Sequence, residues 1–215
     1  HEFRTPLTLI LGPLEEQLRN SKVSLAERKN LMITQRNANR LLDLVNQLLD
    51  LSKLEAGKME LTIRQGDLAA FLHLLTSSFD SLAEHKQITF LKNISGIGKH
   101  IGYDEDKVEK IVTNILFNAF KFTPPGGQVG FSMHVWAASG EIVISVADTG
   151  KGIPHDEQGT IFTPFYQLKH SSDDAQPGTG LGLSLVNELV RFYGGSIKLA
   201  SELNQGTCIT VTLPV

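Results

Sequence analysis

Apolar side chains recur with a helical period through about the first 57 residues of the chain. They predict a first helix with one apolar face, formed by Leu7, Leu11, Leu14 and Leu18. The polar stretch 20–24 interrupts the pattern, and Ser24 with Glu27 three residues later matches a helix capping box. A second, longer helix is therefore predicted from about Leu25 to Glu55, ending near Gly57.

The second helix also carries an apolar stripe, formed by Leu31, Ala38, Leu41, Leu42, Val45, Leu48, Leu49 and Leu54. Two helices joined by a short polar turn make a helical hairpin, and one hairpin cannot bury two such stripes by itself. Two copies packed as a four-helix bundle can, so we predict a homodimer through this region. Docking of the helices on the rest of their own chain is the alternative, and the molecular mass in solution separates the two.

Beyond Met59, short alternating segments are mixed with helical ones. The predicted strands cover residues 59–63, 88–93, 128–136, 141–147, 196–201 and 207–213. The predicted helices cover residues 68–85, 104–121 and 181–192. Turn residues between the last four strands join them into two hairpins. We therefore predict an α+β protein: a helical hairpin over residues 1–57, then an α/β sandwich over 58–215 with a largely antiparallel or mixed sheet.

Composition narrows the class of protein. Lys and Arg number 20 against 23 Asp and Glu, a net charge of −3, which argues against a general nucleic-acid-binding protein. The single cysteine, Cys208, excludes an internal disulfide, and the seven histidines lack metal-ligand spacing. No apolar run approaches the roughly 20 residues of a membrane-spanning helix. A chain that opens on His1 without an initiator Met is typical of an excised fragment, so we expect further parts outside it.

Three polar side chains share one face of the predicted helix 104–121, because Asn114, Asn118 and Lys121 are spaced by four and three residues. Amide oxygens are acceptable ligands for Mg²⁺, and a lysine supplies a point charge to a phosphate. Taken alone, this stripe is more simply explained by solvated amides on an amphipathic helix.

Two glycine-containing segments could approach a ligand closely. Asp148 follows a predicted strand and precedes Gly150 and Gly152, so its carboxylate can accept a hydrogen bond from an exocyclic amine; an Asp-initiated turn is the alternative. The segment Gly178-Thr179-Gly180-Leu181-Gly182 opens a predicted helix whose first N–H groups suit a phosphate, and a flexible hinge is the alternative. Its spacing matches neither a Walker A loop nor a dinucleotide-binding fingerprint.

Taken together and in this order, the three segments resemble the N, G1 and G2 boxes of the histidine kinases. Phe162-Thr163-Pro164-Phe165 resembles the F box between them, and Gly206-Thr207 a later glycine box. The opening residues His1 to Thr8 resemble the H box, which holds the phospho-accepting histidine. The resemblance covers essentially the whole chain. It implies a dimerisation and histidine phosphotransfer hairpin over 1–57 and a catalytic ATP-binding domain of the gyrase, Hsp90 and histidine kinase type over 58–215.

The resemblance assigns the phosphoryl chemistry to the start of the chain. It implies that His1 attacks the γ-phosphorus of ATP through one ring nitrogen, and that Glu2 accepts the N–H of the other. Thr5, on the same helical face, would help to position a water that dephosphorylates the partner protein. Relatives continue the helix upstream of the H box, so we expect this chain to bind ATP but to autophosphorylate poorly.

The resemblance assigns ATP and Mg²⁺ to the second domain. Asn114 and Asn118 would hold Mg²⁺, Lys121 a phosphate, and Asp148 the adenine amino group. The remaining implied nucleotide contacts are Gly150, Gly152, Phe162, Gly178, Thr179, Gly180, Leu181, Gly182 and Thr207. The segment 154–178 would form a lid over the nucleotide. Residue 167 is Gln where many relatives carry a basic residue, so the lid cation would come from Lys169, His170 or Lys151.

The implied partner is a response-regulator receiver domain, which would present an Asp to phospho-His1 on the same polypeptide, as in hybrid sensors, or on another. We expect no direct nucleic-acid contact, and a cytoplasmic location tethered to a membrane sensor outside this part. Two alternatives are an ATPase of the gyrase, Hsp90 and MutL type, which needs a Glu where this chain has Asn114, and a degenerate ATP-binding dimerisation scaffold.

Overall fold

The computed structural model describes residues 4–19, 24–95, 101–136, 140–167 and 179–214. The chain divides into two compact units, His1–Gly57 and Lys58–Val215. Among the helices described, none is long and apolar enough to span a bilayer.

The first unit is a helical hairpin. Helix α1 covers Arg4–Arg19 and α2 covers Leu25–Glu55, so the predicted second helix is confirmed at both ends. The predicted capping box is also confirmed, because the Glu27 amide donates to the Ser24 hydroxyl at 3.3 Å while the Ser24 amide donates to the Glu27 carboxylate at 3.0 Å. The Arg28 guanidinium donates to the Leu18 carbonyl at 2.9 Å and joins the two helices.

The second unit is built on a five-stranded sheet with the order β2-β4-β5-β7-β6. Its strands are β2 (Thr89–Ser95), β4 (Gln128–Trp136), β5 (Glu141–Asp148), β6 (Ser196–Glu202) and β7 (Gly206–Pro214). The β2–β4 pair is parallel and the other three are antiparallel, so the sheet is mixed as predicted. Two short strands, β1 (Arg64–Gly66) and β3 (Ile101–Tyr103), form a separate antiparallel pair.

Helices cover the apolar face of this sheet. They are α3 (Leu68–Ser77), α4 (Asp80–Lys86), α5 (Glu105–Phe122) and α6 (Gly182–Phe192). Alternate residues of β4, among them Val129 and Phe131, are buried, and the fully buried side chains of α5 and α6 include Leu116 and Leu189. The α+β fold class is thereby confirmed, with the core between the sheet and the helices.

A charged pair lies on the covered side of the edge strand β2. The Lys92 ammonium contacts the Asp80 carboxylate of α4 at 2.7 Å. Lys92 has the same parity along the strand as Phe90, whose ring packs edge-on against Phe120 of α5 at 5.1 Å. The side chain of Lys92 therefore points toward the helices.

Two sequence expectations were wrong in detail. Residues 59–63 are not a strand, because the Thr62 amide donates to the Asp104 side chain at 2.7 Å and not to another strand. The single helix expected over 68–85 is broken between α3 and α4, where buried Phe79 stacks on Phe120 at 5.7 Å and the Ser78 hydroxyl donates to the Leu75 carbonyl. Strand β3 was not predicted, since three residues are too few to show a period.

Candidate functional site

The polar stripe of α5 lies at the junction with α6. Asn114, Asn118 and Lys121 are all half-buried, whereas most apolar residues of the helix are buried. The Asn114 side-chain nitrogen donates to the Lys110 carbonyl at 2.7 Å, which fixes the orientation of the amide. Its oxygen then faces the start of α6, where a Cβ placed on Gly182 would lie 2.7 Å away. The N box and the G2 box are therefore in direct contact, and only a glycine leaves this space.

Asp148 ends β5 on the helix-covered face of the sheet. It pairs with fully buried Val129 on one side and with Thr207 on the other, and directly paired residues share a face. Burial raises the pKa of Asp148 above the ordinary aspartate value of 3.8. The backbone N–H groups of Gly150 and Thr207 donate to the carboxylate and lower its pKa, but the effect of burial is larger. The Gly150 donor lies 2.8 Å from the carboxylate. The carboxylate is thus held by backbone donors of the loop after β5 and of the start of β7.

The loop after β5 fits tightly between α5 and the β6–β7 turn. A Cβ on Gly150 would lie 2.6 Å from the Phe122 carbonyl oxygen, so the loop touches the end of α5. Gly152 has φ +66° and lies against the Glu202 backbone, with no room for a side chain. The Ser201 hydroxyl accepts from the Ile153 amide at 2.9 Å and lies 2.9 Å from the Thr207 hydroxyl. Ser201, which the sequence did not single out, therefore positions Thr207.

The F box and the G2 box are joined by their backbones. The Phe165 amide donates to the Gly180 carbonyl at 2.9 Å. Both residues have left-handed backbone angles, φ +64° at Phe165 and +73° at Gly180, and a Cβ on Gly180 would lie 2.7 Å from the Phe165 carbonyl carbon. A phenylalanine in this conformation is strained, and such residues cluster at ligand clamps and active sites. Half-buried Phe162 lies one turn earlier in the same segment.

The start of α6 leaves its backbone donors uncapped by a side chain at the N-cap. Leu181 occupies that position and is fully buried. Its own amide donates to the Thr179 hydroxyl at 3.2 Å, which shapes the approach to the helix. The first N–H groups of a helix carry partial positive charge, so this end of α6 suits an anion.

Two lysines meet at one aromatic ring beside this junction. The Lys121 ammonium lies 4.8 Å from the centroid of the Phe122 ring, and the Lys151 ammonium lies 5.0 Å from it. The end of α5 and the loop after β5 therefore bring two positive charges to the same place.

The structure brings together most of the predicted nucleotide-binding residues. Asn114 meets Gly182, Asp148 meets Gly150 and Thr207, and Phe165 meets Gly180. The expected residues His1, Glu2, Gly178, Lys169 and His170 lie outside the described residues, and for Thr5 only the backbone, in the first turn of α1, is described. No cluster of three or more His, Cys, Asp or Glu suited to a metal occurs among the described residues, so a cation here would depend on amide oxygens.

Both units of the chain are similar to known proteins. The model of the histidine kinase-, DNA gyrase B- and HSP90-like ATPases matches residues 103–215, and that of the His Kinase A (phospho-acceptor) domain matches residues 1–57. The hybrid signal transduction histidine kinase D of Dictyostelium discoideum is 41% identical over 218 residues, which cover 100% of this chain and 14% of that protein. The sensor histidine kinase TmoS of Ectopseudomonas mendocina is 39% identical, over 100% of this chain and 22% of that protein.

A solved structure shares the whole fold. The crystal structure of full-length ShkA in complex with AMPPNP superposes with a TM-score of 0.82 at 32% identity, over 100% of this chain and 44% of that one. The chain belongs to the histidine kinase-, DNA gyrase B- and HSP90-like ATPases. It joins this ATPase part to a part that matches the phospho-acceptor domain, which is the arrangement of a histidine kinase core. It spans less than a quarter of the length of the two relatives named above.

Proposed function

We propose that this chain binds ATP with Mg²⁺ at the junction of α5 and α6 and transfers the γ-phosphoryl group to His1. The observation that carries this proposal is the contact of the Asn114 side chain with Gly182, because it places an oriented amide oxygen beside the uncapped start of a helix. A metal-bound polyphosphate needs this combination of a hard oxygen ligand and backbone N–H donors.

Asn114 and Asn118 would hold the Mg²⁺. They fit that role because the hydrogen bond from the Asn114 nitrogen to Lys110 turns the amide oxygen toward the start of α6. Amide oxygens are acceptable Mg²⁺ ligands, and the ion ordinarily completes its shell with water and phosphate oxygens. When bound, the ion would offset the negative charge of the β- and γ-phosphates.

Lys121 would contact a phosphate. Lys151 would supply the lid cation, because residue 167, where many relatives carry a basic residue, is Gln in this chain. The Phe122 ring holds both ammonium groups within about 5 Å of its centroid, so the two charges act on one region. The uncapped N–H groups at Gly182 and after it would bind the same polyphosphate.

Asp148 would accept a hydrogen bond from the adenine amino group. Its carboxylate accepts from the Gly150 amide at 2.8 Å, which orients it. Thr207 pairs with Asp148 and Gly152 lies in the loop that follows it. Together with Phe162 they would shape the nucleotide pocket, with Gly178, Thr179, Gly180 and Leu181 closing it.

The chemical step would be carried by the start of the chain. A neutral His1 imidazole attacks the γ-phosphorus through the lone pair of one nitrogen, so a nitrogen–phosphorus bond forms while the bond from phosphorus to the β–γ bridging oxygen breaks and ADP leaves. Glu2 accepts a hydrogen bond from the N–H of the second nitrogen, which fixes the tautomer and offsets the positive charge that the ring acquires.

The hairpin would form the homodimer. Several large apolar side chains of α2 are exposed, namely Leu25 at 89%, Met32 at 58%, Ile33 at 40%, Leu41 at 50% and Leu48 at 40%. Leu41 and Leu48 are seven residues apart and so lie on one face of the helix. A second hairpin packed on this face would bury them in a four-helix bundle.

The downstream partner would be a receiver domain whose Asp takes the phosphoryl group from His1, in the same polypeptide or another, with Thr5 assisting its dephosphorylation. The match to a phospho-acceptor domain and the similarity to a hybrid kinase support this pairing. We propose a cytoplasmic site of action, where ATP, Mg²⁺ and a reduced Cys208 are available, with any membrane tether outside this chain.

The experiment is incubation with γ-labelled ATP and Mg²⁺. Four proteins are compared: the chain, its His1→Ala variant, and each of these two with the same helical extension of several turns added upstream of residue 1. Acid-labile label on the extended chain and none on its alanine variant is the expected result. Tight ATP binding with no label on any protein would favour a scaffold, and steady phosphate release that survives His1→Ala would favour an ATPase.

A further inference from the structure

A buried carboxylate far along α5 from the nucleotide residues joins three parts of the second unit. Asp104 is 2% exposed and caps α5, accepting from the Lys107 amide at 3.1 Å through one oxygen. Its other oxygen accepts from the Thr62 amide at 2.7 Å. The Asp104 amide donates to the Tyr193 hydroxyl at the end of α6.

These contacts fix the two helices that carry the proposed nucleotide site. Asn114 contacts Gly182 near the middle of α5, and Asp104 contacts Tyr193 near its start, so α5 and α6 run antiparallel between two points of attachment. The spacing of ten residues along α5 corresponds to about 15 Å of rigid helix. A displacement of Asp104 therefore moves the Asn114 amide against Gly182.

Thr62 belongs to the segment that leads out of α2. Residues 58–63 follow the hairpin directly and have no regular structure of their own, and the side chain of Thr62 is exposed. Thr62 and Asp104 line an open groove of about 410 Å³ together with Arg64 and Glu105. Water can therefore compete for the Thr62 amide without unfolding of the core, so this hydrogen bond can open by itself.

We propose that Asp104 is a positioning residue for nucleotide binding, and that the Thr62–Asp104 hydrogen bond couples the segment leaving the helical hairpin to the N-box and G2-box helices. The inference rests on the proposed function, since it requires that nucleotide binds at α5 and α6. Nucleotide binding and the Thr62–Asp104 hydrogen bond are then thermodynamically linked. If the formed hydrogen bond increases nucleotide affinity by a given factor, bound nucleotide must favour the formed hydrogen bond by the same factor.

Amide hydrogen exchange of the full 215-residue chain, resolved by residue, tests the coupling with AMPPNP as the probe. We expect saturating AMPPNP with Mg²⁺ to slow exchange of the Thr62 amide about 5-fold or more. The control is the Gly140 amide, which donates to the Trp136 carbonyl at 3.0 Å in the β4–β5 turn and should not respond. In Asp104→Asn, which retains a good N-cap for α5, the response of Thr62 should be lost.

A second measurement removes the donor. Thr62→Pro should weaken AMPPNP binding about 5-fold or more. Glu60→Pro is the control for the effect of a proline in this segment, since the described structure shows no hydrogen bond at Glu60. It should leave AMPPNP binding unchanged. Binding of AMPPNP with no change at Thr62 would overturn the inference alone. No AMPPNP binding by the unmodified chain would overturn the proposed function and this inference with it.

Discussion

Asp148 has an environment that favours its neutral form and a proposed role that requires its charge. Burial raises its pKa, while the Gly150 and Thr207 amides stabilise the carboxylate. A raised folded-state pKa means that the ionised group costs folding free energy at neutral pH. This cost begins to decrease as the pH falls through the folded-state pKa and is gone below the unfolded-state pKa. A carboxylate kept at such a cost is typical of a binding site.

Asp148→Asn should weaken ATP binding about 10- to 100-fold, since a hydrogen bond to a charged group contributes about 1.5–3 kcal/mol. The free energy of unfolding at pH 7 should stay equal or rise, because the costly charge is gone. Calorimetric titration with ATP and urea unfolding measure the two effects. ATP affinity of the unmodified chain should also fall on acidification, beginning above the pH at which an ordinary aspartate titrates.

The control for this prediction is Glu84→Gln, which removes a carboxylate charge from an exposed position in the same unit, outside the proposed nucleotide site. It should leave ATP affinity unchanged. Wild-type affinity in Asp148→Asn would show that this carboxylate does not contact the nucleotide.

At the scale of residues, the sequence predicted contacts that follow from a local period. Asn114, Asn118 and Lys121 share a face because a helix repeats every 3.6 residues, and the structure places them on one face of α5. The Thr62–Asp104 hydrogen bond joins residues 42 positions apart, and no local pattern encodes such a pair. The left-handed backbone angle φ of Phe165 could not be predicted from the sequence either, because it accompanies a backbone hydrogen bond to Gly180, which is 15 residues away in the chain.

At the scale of elements, α2 was predicted to the residue because two independent signals agree on its start. The capping box fixes Ser24 as the N-cap, and the polar stretch 20–24 that interrupts the apolar pattern ends at the same residue. The break between α3 and α4 escaped prediction because the apolar period continues through it. Burial of Phe79 against the rings of Phe117 and Phe120, at 5.1 and 5.7 Å, decides that boundary.

Ser24→Ala should lower the free energy of unfolding of the hairpin by about 1 kcal/mol, within the 0.5–2 kcal/mol range measured for N-caps. The change removes the hydroxyl that accepts from the Glu27 amide. Urea unfolding followed by far-ultraviolet circular dichroism measures it. Ser52→Ala, at an exposed position inside α2, should be neutral or slightly stabilising, since alanine is the better helix former. Equal losses in both variants would contradict the capping role.

At the scale of the whole molecule, the exposed apolar face of α2 predicts self-association. Leu41→Glu combined with Leu48→Glu should convert a dimer into a monomer, because each buried leucine contributes about 1.5–3 kcal/mol and a charge in its place remains unpaired. Sedimentation velocity measures the mass. Asn39→Glu, at an exposed position on the opposite face of the same helix, should leave the dimer intact. A monomeric unmodified chain at high concentration would contradict the prediction.

The Lys92–Asp80 pair explains why such association would use the helices and not the sheet. An open sheet offers two free edges, here β2 and β6, and each can recruit a strand of another molecule. Lys92, at the centre of β2, turns its charge inward to Asp80, and Lys198 lies exposed beside the centre of β6. A strand added at β2 would have to cover the Lys92–Asp80 pair, and a strand added at β6 would lie beside the charge of Lys198. Both edges are thereby protected against aggregation, and the sheet closes at five strands.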